Sequence, residues 1–159
     1  RMEWGPRALG NRSILVSAKN KSINDDLNKR LDRSEFMPFA PIIIFEDAKE
    51  YFENFKKNLK SLEFMTMTLN VNKAKVVNCP AVVHVDNTAR PQCVKSDVNK
   101  SLYKILKEYK KITNIPVLIN TSFNIHEEPI ICSPEDAVRS FNKGAIDVLA
   151  IGNFIVTNE

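Results

Sequence analysis

Apolar residues recur at helical spacing in three stretches of the chain. After Ser22, Ile23 and Leu27 fall on one face, and Ser22 with Asp25 is spaced for a capping box. Ala48, Tyr51, Phe52 and Phe55 form a stripe that predicts a helix over residues 47–60. Leu102, Ile105, Leu106, Tyr109 and Ile112, with lysines opposite, predict a longer helix over residues 97–113. A fourth helix is announced by Ser133-Pro134-Glu135-Asp136, an N-cap hydroxyl, a proline at the first helical position and acids in the first turn, and Gly144 suits its end.

Between these helices the pattern changes to that of strands. Residues 42–45 are apolar, and Met65, Met67, Leu69 and Val71 alternate with Thr66, Thr68 and Asn70. Further strands are expected at residues 81–85, 116–119 and 148–151, the last turning at Gly152-Asn153 into residues 154–156. Strands and helices interleave without repeats or low-complexity linkers. The expected fold class is therefore α/β, an open twisted mixed sheet flanked by helices.

Composition narrows the classes. The 159 residues are 43% hydrophobic and 26% charged, which is enough for a packed core and argues against disorder. No apolar run approaches the ~18–20 residues that span a bilayer, so no membrane partner is expected and the chain reads as a cytoplasmic protein. Cys79, Cys93 and Cys132 are widely spaced with no CxxC pair, which reads as free thiols and no metal site. The chain opens on Arg1 within a dense Arg- and Gly-containing stretch, and is expected to be a domain over residues 1–159 with a missing partner upstream. The net charge of +4 favours anionic ligands, although exposed lysine faces account for most of it.

Four segments hold polar residues that packing does not require. In Glu3-Trp4-Gly5-Pro6-Arg7-Ala8-Leu9-Gly10-Asn11-Arg12-Ser13, Arg7 and Arg12 can present planar forks to phosphate or carboxylate, while a solvated surface turn is an equal reading. Lys29, Arg30 and Arg33 near a helix C-terminus are explained more readily by the helix dipole than by a ligand on composition alone. Arg90 follows an apolar strand, in a loop of the kind where α/β proteins place ligands. His84 reads as a satisfied core histidine, since the only other histidine is His126 and a metal site needs more ligands. Strand residues 116–119 run into Asn120-Thr121-Ser122-Phe123-Asn124, a burst of amides and hydroxyls that suits a planar urea-like group or, alternatively, a turn. No nucleophile and base pair stands out, so the remaining chemistry is electrostatic positioning of a phosphoryl or acyl-phosphate group.

Together RMEWGPRALGNRSIL, KRLDRSEFMPFAP, AVVHVDNTARPQ and VLINTSFNIHEEPIICSPEDA resemble, in this order, the C-terminal domain of the nodulation-type O-carbamoyltransferases, which include antibiotic carbamoyltransferases. The resemblance implies a YrdC-like fold that takes carbamoyl phosphate and ATP with magnesium, forms carbamoyl-adenylate and releases pyrophosphate and phosphate. It also implies a missing N-terminal domain, carrying an iron site, that passes the carbamoyl group to an acceptor hydroxyl; the fragment by itself should not complete the transfer. Carried over by position, Lys29, Arg33 and Arg90 are the expected catalytic residues, holding phosphate oxygens. Arg7, Arg12, Asn120, Ser122 and Asn124 are the expected substrate-binding residues, with Asn120 and Ser122 orienting the carbamoyl amide. The family commonly has Arg at the position of Met37, Gly at Asn87 and Arg-Gly at His126-Glu127; the Met37 change removes a positive charge beside the expected anion site, which means either altered nucleotide affinity or a position that never touches ligand.

The alternative is a YrdC-like module without its own catalysis, binding RNA or serving a structural role. Arg-rich tracts with interleaved aromatics are missing, so nucleic acid is not the expected partner. A homodimer of the full enzyme is compatible with the sequence.

Overall fold

The structure, a computed structural model, describes residues 2–3, 5–33, 38–56 and 60–158. Strand β1 (Ser13–Ser17) leads into helix α1 (Ile23–Arg30), and β2 (Ala40–Ile44) into α2 (Phe45–Tyr51). Short strands β3 (Leu69–Asn70) and β4 (Thr88–Ala89) flank two 3₁₀ turns, Lys73–Asn78 and Pro80–Val82. Then come β5 (Gln92–Val94), α3 (Lys100–Thr113), β6 (Val117–Ser122), α4 (Pro134–Asn142) and the hairpin β7 (Val148–Ile151) and β8 (Phe154–Thr157). The main sheet is mixed, in the order β1-β6-β2-β5, with β2 and β5 parallel and the other pairs antiparallel. The α/β class with a mixed sheet and helices is as the pattern predicts.

Side-chain alternation along β2 and β6 divides the core between the two faces of this sheet. Ile42, Ile44 and Leu118 project to one face, where α3 covers them with Leu102 and Leu106. Ile43, Val117 and Ile119 project to the other, where Leu27 of α1 and Ala48 and Tyr51 of α2 pack. Both faces being covered explains why every residue of β2 is buried and reads as a plain apolar run. A satellite cluster joins Ile14 of β1, Phe141 of α4 and Leu149 of β7.

Several expectations are corrected. The second helix is Phe45–Tyr51, because the chain turns extended at Phe52 to bridge Val71 and bury its ring. The stripe of residues 48–55 thus mixed a helix with a strand-like segment, and the end of that expected helix, residues 57–59, lies outside the described residues. The strand expected at residues 65–71 shrinks to Leu69–Asn70, since Met65 adopts a left-handed conformation with φ of 54°. Residues 81–85 form the end of a 3₁₀ turn and a loop, a proline-led geometry that alternation did not reveal. Ser22 makes no side-chain cap bond, so its expected capping box is absent, whereas Ser133 and Asp136 form a reciprocal one. Ile105 and Ile112 of α3 are exposed despite lying on the helical pattern, and Leu102 and Leu106 carry its burial. Among the described residues no helix is long and apolar enough to cross a membrane.

Candidate functional site

The carboxyl end of β6, the amino end of β2 and the approach to β5 meet at one end of the main sheet. Around them lies a cleft of about 290 Å³, whose lining includes Arg7, Arg33, Arg90, Asn120 and Ser122. Each is brought there by a local device that the sequence encodes.

Arg33 is placed by the way α1 stops. Asp32 takes a left-handed φ of 54°, its N–H donates to the Lys29 carbonyl, and the Arg33 N–H donates to the Asn28 carbonyl at 2.9 Å. This is a Schellman stop, with an aspartate where glycine is commoner. The half-buried guanidinium donates to Thr121 Oγ1 at 3.2 Å and lies 5.5 Å from the centre of the Phe39 ring.

Arg7 rides on a loop pinned from both ends. The Glu3 carboxylate accepts from the backbone N–H groups of Leu9, Asn11 and Arg12 and from Asn11 Nδ2, at 2.8 to 3.1 Å. Such charge-assisted bonds are stronger than neutral ones, and four on one carboxylate fix the loop's curvature. Underneath, the buried Asn120 Nδ2 donates to the Ala8 carbonyl and Gln92 Nε2 to the Leu9 carbonyl. Gly10, at φ of 108°, lets the loop lie against Leu102 of α3, where a Cβ would stand 2.2 Å from a leucine methyl.

Arg90 follows β4 after a tight turn in which the Asp86 side chain accepts from the Thr88 N–H and hydroxyl, while Asn87 sits at φ of 62°. His84 Nδ1 shares a 2.9 Å hydrogen bond with Thr88 Oγ1, so the histidine is satisfied but only half-buried. The left-handed position at Asn87, where the resemblance leads one to expect glycine, tolerates asparagine. Glu127, at φ of 64°, is likewise a left-handed position where the resemblance leads one to expect glycine. His126, where the resemblance leads one to expect arginine, lines the cleft; Met37 lies outside the described residues.

Electrostatics distinguish this cleft. Its described lining holds three arginines and no carboxylate. Burial pushes the Arg33 guanidinium below its ordinary value, with no ion pair to Arg33 among the described residues. Arg90 is lowered too, by burial first and then by repulsion from Arg7. Desolvated like charges facing one another, with no counter-charge among the described lining, are unfavourable alone, and an anion relieves them. The walls of Phe39, Pro38 and Met65 supply an apolar boundary. Met65 is a participant that sequence reasoning missed, because its left-handed backbone comes just after a 3₁₀ turn at Lys60–Glu63 and belongs to no motif.

Not every expected residue lies here. Lys29 is exposed on α1 and does not line the cleft. Arg12 lines a larger groove of about 890 Å³ beside β1, and its carbonyl accepts from the Phe123 N–H. That groove's other charges are mutually paired, Arg30 reaching Asp26 and Asp147 at 2.9 and 2.6 Å. Asn124 closes a turn by donating to the carbonyls of Ile125 and Glu128. The segment expected to be a loop at residues 120–122 is the end of β6 itself, so Asn120 is 2% exposed rather than free in a turn. Among the described residues no cluster of His, Cys, Asp and Glu could hold a metal ion.

Residues 1–158 match the family described as Carbamoyltransferase C-terminus. Nodulation protein NolO of Bradyrhizobium diazoefficiens is 41% identical over 98% of this chain and 28% of its own length. Nodulation protein NolNO of Sinorhizobium fredii is 39% identical over 98% of this chain and 23% of its own. An uncharacterised protein of Methanocaldococcus jannaschii is 43% identical over 99% of this chain and 30% of its own length. The chain thus spans less than a third of each of these relatives.

Proposed function

The chain belongs to the carbamoyltransferase C-terminal family, and from this premise we propose that it is the part of a cytoplasmic carbamoyltransferase that binds carbamoyl phosphate and ATP, in a YrdC-like fold. The single observation that carries the reading is the cleft in which Arg7, Arg33 and Arg90 converge beside Asn120 and Ser122, with no carboxylate among its described lining.

A cleft of about 290 Å³ suits an acyl phosphate better than a whole nucleotide, since sites for drug-sized ligands run to roughly 300–1,000 Å³. In this reading Arg33 and Arg90 hold phosphate oxygens and Arg7 closes over them. Planar forks suit that task, because they donate two bonds to one phosphate. Asn120 Oδ1, which has no partner among the described residues, accepts from the carbamoyl NH₂, and the Ser122 hydroxyl assists. Water converts carbamoyl phosphate to carbamate and phosphate; a carbamate oxygen then attacks the α-phosphorus of ATP, carbamoyl-adenylate forms and pyrophosphate leaves. The described lining supplies no carboxylate, so in this reading magnesium arrives on the ATP phosphates, and Lys29 is a further phosphate contact. The rest of the longer polypeptide, with its iron, passes the carbamoyl group to an acceptor hydroxyl.

The test is calorimetric titration with carbamoyl phosphate, with and without ATP and magnesium, against Arg33→Ala and Arg90→Ala. Each truncation is expected to weaken binding by at least tenfold, and His126→Arg to tighten it. Unchanged affinity in both truncations of a folded protein would remove the reading. Retained affinity for phosphate with no preference for carbamoyl phosphate over acetyl phosphate would remove the role of Asn120.

A further inference from the structure

Strand β1 is the edge of the main sheet and pairs only with β6 among the described residues. The Phe123 N–H donates to the Arg12 carbonyl at 2.9 Å, one step beyond the β1–β6 register. Antiparallel pairs alternate between bonded and non-bonded partners, so Ile14 and Val16 share their bonds with β6. Ser13, Leu15 and Ser17 then turn their N–H and C=O groups away from it. Among the described residues strand β7 is also paired on one side only, with β8.

Between these strands runs the groove of about 890 Å³. All five residues of β1 and all four of β7 line it. Side chains alternate between faces along a strand, so a groove that touches every residue of both strands follows their edges rather than one face. The β1 edge also lacks the usual protection against pairing: its sequence is SILVS, with no proline, lysine or glycine.

We propose that this groove receives an extended segment of the same polypeptide from the stretch preceding residue 1, adding a strand between β1 and β7. The combined order would be β5-β2-β6-β1-insert-β7-β8. Two observations name this occupant. The family is a C-terminal one, and the relatives are more than three times as long as the matched region, so chain of the needed length lies upstream in them. The Glu3 carboxylate is bonded to the N–H groups of Asn11 and Arg12, two residues that line the Ser13 end of the groove. Glu3 itself therefore lies at the groove's mouth. Running back along β1 from there, the upstream segment pairs antiparallel, and about five residues at ~3.3 Å each match the length of β1. The inserted segment is expected to alternate in polarity, because one of its faces meets the apolar cluster around Ile14 and Leu149.

Residue-resolved hydrogen exchange on the full-length protein tests this. The Leu15 amide is expected to exchange as slowly as those of Ile14 and Val16, and the Val148–Ile151 segment to be protected alongside it. Slow exchange at Ile14 and Val16 with fast exchange at Leu15 would overturn the proposal, since the edge would then be open in the whole protein. A second copy of the chain in the groove is separated by dilution: protection of Leu15 should be independent of concentration, and its loss on dilution would overturn an intramolecular strand. Replacing the preceding stretch with a Gly-Ser linker of equal length should free Leu15 by at least a hundredfold while Ile14 and Val16 stay slow; continued protection of Leu15 would assign the groove to another segment.

Discussion

Asn120 of β6 donates through Nδ2 to Gln92 Oε1 of β5 at 2.6 Å, a bond between two buried amides that passes over the intervening strand β2. Both amides also donate to the loop above, Asn120 through its second amide proton to the Ala8 carbonyl and Gln92 Nε2 to that of Leu9. The pair is therefore a clamp that ties the Arg7 loop to the sheet and fixes the orientation of Asn120.

Replacing Gln92 with methionine keeps the volume and removes the clamp. The Leu9 carbonyl loses its donor, and a buried polar group left unpaired costs about 1–3 kcal/mol. The urea midpoint of Gln92→Met is expected to fall by that equivalent with an unchanged slope, since the surface exposed on unfolding is the same. A variant as stable as the wild type would mean that water replaces the amide.

The elements legible in the sequence were those whose pattern is set locally. Helix α3 shows its period, and α4 shows its cap because Ser133, Pro134 and Asp136 act within one turn. Strand β2 shows a buried run. The elements that went unread depend on distant partners. Strand β1 is a strand because Leu15 faces Asn120 more than a hundred residues away, and β5 exists because Cys93 lies beside Ile43. In the site, the identities of Arg7, Arg33, Arg90, Asn120 and Ser122 were readable, but their convergence is a property of sheet order. Burial of Asn120 was unreadable for the same reason, as nothing near it in sequence says that Ala8 and Gln92 will take its amide protons.

The thiols divide by burial. Burial pushes Cys79 and Cys93 up to about 12, whereas Cys132 is exposed. Since the thiolate is the reactive form, a thiol reagent at neutral pH is expected to modify Cys132 alone in the native protein and all three cysteines after unfolding. Cys132→Ser should then leave no fast-reacting thiol, as read by mass spectrometry.

Glu127 holds φ of 64° on the surface beside the cleft. A non-glycine residue in this region carries strain of about 1–2 kcal/mol, which glycine avoids at some cost in unfolded-chain entropy. Glu127→Gly is accordingly expected to raise the melting temperature by roughly 2–4 °C, the shift that about 1 kcal/mol produces in a chain of this size. A fall in melting temperature would show that the Glu127 side chain makes compensating contacts.

Asp136 caps α4 and accepts from the backbone N–H groups of Ser133 and Cys132, which hold its carboxyl down from the ordinary 3.8 to about 2. A pKa depressed in the folded state means a contribution to stability that is complete above 3.8 and is lost as pH falls through 2. The stability difference between wild type and Asp136→Asn should therefore be constant from pH 7 to about 5 and shrink between about 4 and 2. A carboxyl titration followed by NMR with its midpoint at the ordinary value would contradict the capping geometry.

The loop that carries Arg7 is held against α3 by the absence of one atom. A Cβ added at Gly10 would stand 2.2 Å from Leu102 Cδ2, and Leu102 is 2% exposed and packed with Leu106 and Ile42, so it has little room to swing away. Gly10→Ala should cost about 1–3 kcal/mol through overpacking, with backbone strain at φ of 108° added. Leu102→Ala should cost about 2–5 kcal/mol through the cavity it leaves. In the double variant the new methyl enters that cavity and the clash disappears, so the combined loss should be smaller than the sum by about 1 kcal/mol or more, measured by denaturant unfolding of all four proteins. The remaining deficit of the double variant over Leu102→Ala then reports backbone strain alone. Strict additivity would mean that the loop does not rest on α3, and that Arg7 is held over the cleft by Glu3, Gln92 and Asn120 without help from the helix.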